Sequence, residues 1–506
     1  MAVVDEEKFN GDPSLSQQDL LPTAVSSRRW TWWNYSALWM GMVHNLYNFT
    51  WMGGLLLLGM SVWQAMTVAI VGNLIQTLLI GINGRVGARY GIPFPVWARS
   101  AFGIYGANIP ALIRGLVAIG WFGVQSFLGA TAINVLLSAA VGSWKDLGHT
   151  SVLGAPLNLF IAMVIYWAIN LLVINHGMET VRRFESWAGP MIFVVMVVLV
   201  IWAVSSAHGF GPMFAMHSKF STGVFLTEKF VPMVALYISG SWATMVLNIP
   251  DLTRFARSNR GQFWGTMIGL PVATFVFYAM AGVIVSATEA IYGKVIWNPS
   301  DILMAIGIPA LTIIGAILLG IATISVNIPA NIVSPAYDLT NLFAKHLSFK
   351  KSAVIAIAIS FVYMPWRLMQ NPTVLYGLLG NIGAVLGPVT GIIMADYLVI
   401  RQQRIDVHEL YREFGRYRSK GGFNLVALIT LAVVSGIIFL GEFDKSVGWL
   451  YNYSWFIGLI VGFFGYLLVI RVWKSQAKRL PPEYEPAGDK GRELIDLERH
   501  GTNKVV

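Results

Sequence analysis

At 506 residues, 56% hydrophobic and 12% charged, the chain carries about half the charge density of a soluble domain. Its formal net charge of +10 would suggest a nucleic-acid partner in a soluble protein, but the Lys and Arg fall mainly in short loops between apolar runs, where they report membrane orientation instead. The absence of cysteine removes disulfides, thiolate catalysis and cysteine-ligated metals.

Residues 1–30 are polar ("DEEKFNGDPSLSQQDL") with neither an apolar h-region nor a cleavage pattern, so they read as a cytosolic N-terminal tail and not as a signal peptide. Twelve apolar spans follow, beginning near residues 36, 61, 107, 152, 185, 226, 262, 305, 351, 373, 423 and 452. Each is long enough to cross the roughly 30 Å hydrocarbon core as a helix, and the alternating segments of about ten residues that a β-barrel needs are absent. The predicted fold is an all-α integral membrane protein with a transporter domain over 31–473 and a charged, proline-containing tail over 474–506, solvated or loosely helical.

Alternate loops hold the basic residues: Arg85, Arg89 and Arg99; Arg182 and Arg183; Arg254, Arg257 and Arg260; Lys345, Lys350 and Lys351; Arg401, Arg404, Arg412, Arg416 and Arg418. Opposite loops such as "GEFDKSVGW" are poorer in them. The asymmetry predicts both termini in the cytosol.

The first span ("WMGMVHNLYNFTWMGG") and the sixth ("LYISGSWATMVLNIPD") are interrupted by residues that neither propagate a helix well nor dissolve in lipid. Paired interruptions in corresponding positions of two halves point to an inverted-repeat transporter with its site at the midplane. Backbone groups freed by such breaks must line a cavity or pack inside protein. His44, Asn45 and Asn48 follow Gly41 in the first, and Ser239, Gly240 and Ser241 precede Trp242 in the sixth; small residues at these places also serve plain helix packing.

The amides of Asn45, Gln125 and Asn331 fall near span centres, where an unpaired one costs roughly 2–7 kcal/mol. Trp121 lies one helical turn before Gln125 on the same face. An indole beside an amide suits a small planar ring with amide-like edges, and no opposing charge for an ionic substrate is on offer. His44 is deep in a span and either titrates or makes a structural hydrogen bond. Asp251, Asp338 and Asp396 stand near span ends, where capping or pairing with arginine is expected.

At these residues the chain resembles the nucleobase:cation symporter-1 family, over roughly residues 28–475. The likeness rests on "GWFGVQSFLGA", "NGRVGARYGIPFPVWARSAFGIYGANIPALIR", "HGMETVRRFESWAGP", "IATISVNIPANIVSPAYDL" and "GPVTGIIMADYLVIRQQRIDVHELY". Within the family it leans to the allantoin permease branch, through "WMGMVHN" and "HGMETVRRFE", with uracil and cytosine carriers next. The resemblance implies a five-plus-five inverted-repeat (LeuT-like) fold with two further helices: a first repeat over 31–207, a second over 226–400 and the extra pair over 421–473.

It also implies a substrate ring held between Trp121 and Trp242, with Gln125, Asn331 and Asn45 on its polar edges and Ser241 at the rim, where hydantoin carriers have glycine. The family's sodium site maps to the carbonyls of Gly41, His44 and Ala322 and to hydroxyls at Ser325 and the next residue, here Val326. With one hydroxyl missing, proton coupling or sodium independence is expected over sodium symport. The reading is a plasma-membrane importer of a small planar heterocycle with no cofactor and no obligate protein partner. A membrane-embedded enzyme would want an HExxH, a GxSxG or paired intramembrane aspartates, none of which occurs; a channel is the third class.

Overall fold

The computed structural model describes residues 11–175, 178–210, 218–370 and 372–473; residues 1–10 and the tail from 474 lie outside them. The described elements are helical apart from a short hairpin, Ser151–Val152 with Ala155–Pro156, and one isolated bridge. Among the described residues, eight helical segments are long and apolar enough to cross a membrane.

In chain order the principal helices are α1 (Trp32–Val43), α2 (Leu46–Leu57), α3 (Val62–Tyr90), α4 (Phe94–Phe102), α5 (Asn108–Ala140), α6 (Leu157–Asn175), α7 (Met178–Ser206), α8 (Phe230–Gly240) and α9 (Ala243–Asn248). They continue with α10 (Pro250–Thr253), α11 (Asn259–Tyr292), α12 (Pro299–Ile306), α13 (Pro309–Asn327), α14 (Val333–Leu342), α15 (Phe349–Ser360), α16 (Pro372–Ala395), α17 (Leu425–Phe443) and α18 (Ser454–Val472).

The predicted first and sixth spans fall short of the crossing length for one physical reason: each is broken in two. After α1 the backbone leaves the helix at His44 (φ −80°, ψ 69°) and is extended at Asn45 (φ −132°, ψ 164°) before α2 resumes. Between α8 and α9 the break falls on Ser241 (φ −104°, ψ −85°) and Trp242 (φ −111°, ψ 17°). The α13–α14 rod contains a π-turn at Ile328–Ile332 that carries Asn331.

Large apolar side chains such as Trp63, Leu172, Ile201, Phe464 and Leu468 remain exposed, as lipid-facing positions require. Where α16 and α18 cross, Gly387 and Gly391 meet Gly458 and Gly462 with no room for a Cβ, the close backbone approach that drives helix association when water exclusion cannot.

The described part of the N-terminal tail is not loose. Leu15, Leu20 and Trp30 are buried; Asp12 N–H donates to Tyr411 O at 2.9 Å and Thr23 N–H to Gly91 O at 2.9 Å. Arg254 donates to Thr23 Oγ1 at 2.6 Å and to Asp19 O at 2.9 Å. Arginines that read as free loop charges thus hold the tail down by its backbone carbonyls.

The expected acidic–basic pairing at this end of the bundle is present. Arg114 of α5 bonds Asp338 of α14, with Asp251 of α10 at 4.0 Å, all buried. Asp251 also accepts from the N–H of Phe94 at 2.7 Å, at the N-terminus of α4, where the helix dipole favours a negative charge. Asp396 meets Arg401 at 3.1 Å.

Candidate functional site

Each helix break satisfies its freed backbone groups with amides. At the first, Asn45 Nδ2 donates to Met42 O at 2.5 Å, its Oδ1 accepts from Asn48 N–H at 3.0 Å, and Asn48 Nδ2 donates to Val43 O at 2.9 Å. At the sixth-span break, Gln76 Nε2 donates to Ile238 O at 2.9 Å and Asn83 Nδ2 to Val246 O at 2.6 Å, both reaching across from α3. Ser241 Oγ–H is shared between Gln76 Oε1 at 2.9 Å and Tyr237 O at 2.7 Å.

Between the two breaks lies a cavity of about 20 Å³. Its walls come from Asn45, Tyr47 and Asn48 of the first break, Trp121 and Gln125 of α5, Gly240, Ser241, Trp242 and Thr244 of the second, and Val326, Ala330 and Asn331 around the π-turn. All six residues predicted to face substrate therefore line one space. Among the described residues, the buried Gln125 Oε1 and Trp242 Nε1 have no hydrogen-bond partner, so an acceptor and a donor are left for a ligand. Asn331 donates to Asn327 Oδ1 at 2.9 Å.

The rings are preset by their neighbours: Trp121 packs edge-on against Tyr47 (centroids 4.7 Å apart) and Trp242 edge-on against Trp39 (5.6 Å). A space of this size accepts about one water. A heterocycle enters only if the walls part, which broken helices permit because no continuous ladder of hydrogen bonds spans them.

Three of the residues assigned to the cation site also come together. Ser325 Oγ lies 3.1 Å from Gly41 O, to which it donates, and 3.3 Å from Ala322 O. Val326 is buried and lines the cavity between the two breaks. The His44 imidazole is not in that lining; Nδ1 is 2.6 Å from Met40 O and the ring packs against Phe277 and Phe193 at 5.1 and 6.0 Å. Among the described residues no cluster of three or more His, Asp or Glu could hold a metal ion.

Sequence reasoning missed Tyr47, Thr244 and Ala330 in the lining and Gln76 and Asn327 behind it. Asn327 had a readable signal: it stands one helical turn before Asn331 and shares its face. Gln76 had none, because its role is set by a serine 165 residues away.

With this geometry in view, the comparisons with known proteins agree. A family profile described as "Permease for cytosine/purines, uracil, thiamine, allantoin" matches residues 22–458. The allantoin permease of Bacillus subtilis (strain 168) is 42% identical over 462 residues, covering 90% of this chain and 94% of that one. The purine-uracil permease NCS1 of Arabidopsis thaliana is 35% identical, covering 94% and 80%. Among solved structures, Mhp1, a nucleobase-cation-symport-1 family transporter in a closed conformation with bromovinylhydantoin bound, superposes with a TM-score of 0.74 at 25% identity, covering 94% and 98%. A profile match across most of the length, together with that identity, establishes that the chain belongs to the nucleobase-cation-symport-1 family of membrane permeases.

Proposed function

We propose that this permease imports a small planar heterocycle of the allantoin, uracil, cytosine or hydantoin type by alternating access, through a twelve-span, five-plus-five inverted-repeat fold. In this reading both termini lie in the cytosol and the protein in the plasma membrane, which the concentration of Lys and Arg in alternate loops supports. The observation that carries the reading is the cavity at the meeting of two broken helices, where the unpaired Gln125 Oε1 and Trp242 Nε1 stand in a lining that holds two indoles and three asparagines. An amide oxygen and an indole N–H match the N–H and C=O edges of a ureide or pyrimidine.

Labelled uptake challenged with a panel of these compounds, allantoin first because of the 42% identical relative, tests the substrate. Saturation with counterflow marks a carrier, and non-saturating flux would replace this reading with a channel. N-methylated analogues of the true substrate are expected to compete about 5–150-fold more weakly against wild type, because they leave a buried polar group unpaired. Gln125→Ala should narrow that difference, and equal competition by methylated and parent compounds would assign the amide to helix packing.

For coupling, the reading is a carrier that does not require sodium. The position that supplies a second hydroxyl in the family's sodium site is Val326 here, and Ser325 already donates to the Gly41 carbonyl at 3.1 Å. A lost polar contact costs on the order of 1–3 kcal/mol. Replacing sodium by choline at fixed pH is expected to leave initial uptake unchanged, while a protonophore collapses it if protons drive transport. A strict sodium requirement would favour the sodium symporter of the same fold.

A further inference from the structure

A second pocket, of about 450 Å³, lies outside the bundle core. It is bounded by the loop after Ile400, the start of α17 and the end of α18, through Arg401, Arg416, Arg418, Lys420, Leu425 and Trp473. Its level in the membrane follows from helix length. The helices α17 and α18 each have 19 residues, about 28 Å of rise, which matches the hydrocarbon core. They are joined at their far ends by the connection over residues 444–453, so Leu425 and Val472 mark the same hydrocarbon boundary and the pocket sits at headgroup depth.

The charge there is one-sided. The loop over residues 401–424 holds six Lys and Arg against three Asp and Glu. Glu409 is spent on Arg412 at 3.0 Å and on the N–H of Arg416 at 2.7 Å, Asp406 accepts from the N–H of Glu409 at 3.4 Å, and Glu413 faces Tyr105; Asp396, just before the loop, pairs with Arg401. Burial pushes the Tyr417 phenol up to about 12, so it adds no negative charge. Arg416, Arg418 and Lys420 are exposed and form no ion pair among the described residues.

Apolar groups line the same pocket through Leu425 and Trp473, and Phe414 adjoins it through Arg418. Phe414 is 80% exposed, with the Arg418 guanidinium 3.9 Å over its ring, and Leu425 and Trp473 are exposed as well. Apart from that guanidinium, a phenylalanine this bare on a charged loop is left to its surroundings, and it suits the acyl–headgroup boundary beside an interfacial tryptophan.

We propose that this pocket binds the phosphate of an anionic phospholipid headgroup, with Arg416, Arg418 and Lys420 on the phosphate and Phe414, Leu425 and Trp473 against the first acyl carbons. Occupancy would tie the 401–424 loop, on which Tyr411 and the N-terminal segment rest, to the membrane.

The test uses the full-length carrier in detergent doped with phosphatidylglycerol or phosphatidylcholine, with bound lipid titrated by native mass spectrometry. Wild type should retain phosphatidylglycerol selectively. The triple variant R416Q/R418Q/K420Q should lose roughly fivefold per cation, on the order of 100-fold together, with phosphatidylcholine unchanged. Thermal stability and substrate affinity serve as fold controls; if the triple variant does not fold, R418Q alone should show the fivefold loss. Selectivity that survives these substitutions, or is absent in wild type, overturns the site. Displacement of phosphatidylglycerol by inorganic phosphate at equal concentration makes it a soluble-anion site and overturns the lipid assignment.

Discussion

Arg114→Met is expected to destabilise the carrier by about 3–5 kcal/mol, the cost of removing one partner from a buried ion cluster. Arg114 and Asp251 are fully buried and Asp338 nearly so, and the three join α5, α10 and α14, which no short loop connects. Methionine fills much of the arginine's volume, so the loss comes from stranding two carboxylates and not from a cavity. The variant R114M/D251N/D338N should recover most of the lost stability, since neither asparagine carries a charge that needs an opposite one. Thermal unfolding of the purified protein followed by tryptophan fluorescence measures both. An R114M protein as stable as wild type would mean that water, and not Arg114, compensates the aspartates.

Trp121→Ala should weaken substrate binding roughly 5–100-fold, because stacking of a planar ring on an aromatic is worth about 1–3 kcal/mol by analogy with bases on aromatic platforms. Trp121→Phe should retain most of the affinity. The two variants separate stacking from shape: alanine also frees Tyr47, whose ring centroid is 4.7 Å from that of Trp121, whereas phenylalanine keeps an aromatic face there. Binding measured by substrate-induced quenching of the remaining tryptophans, in protein whose unfolding temperature matches wild type, gives the ratio directly. Unchanged affinity in Trp121→Ala would remove the indole from the site.

The positions of the two helix breaks were legible in the chain itself, because helix interruption is local: Gly41 with Asn45, and Ser239 to Ser241, are poor helix formers inside apolar runs. Trp121, Gln125 and Asn331 were legible for a related reason. A polar or amphipathic group in a lipid-soluble segment is costly unless it has work to do. The paired fate of the three aspartates was also foreseeable from their place at span ends, though not their partners.

Other assignments depended on contacts between remote parts of the chain. Asn45 was expected to face substrate, and it does line the cavity, yet its amide also bonds Met42 O and Asn48 N–H to hold the break open. Ser241 stands at the rim and spends its hydroxyl on Gln76, a residue that nothing local distinguishes from a polar group on an outward face. The N-terminal segment reads only as a polar cytosolic tail until Arg254 is seen bonding its carbonyls from more than 230 residues away.

The sequence alone determined that the protein crosses the membrane as helices, where two of them break, and which aromatic and amide groups are too costly to bury idly, since length, hydropathy and helix propensity act within a few turns. Only the tertiary structure decided which of those groups share one cavity, which amides are consumed in bracing the breaks, and that Arg114 serves two aspartates 137 and 224 residues further along the chain. Those outcomes depend on how helices pack across the bundle, and a hydrogen bond or ion pair forms only where packing brings its two ends within about 3–4 Å.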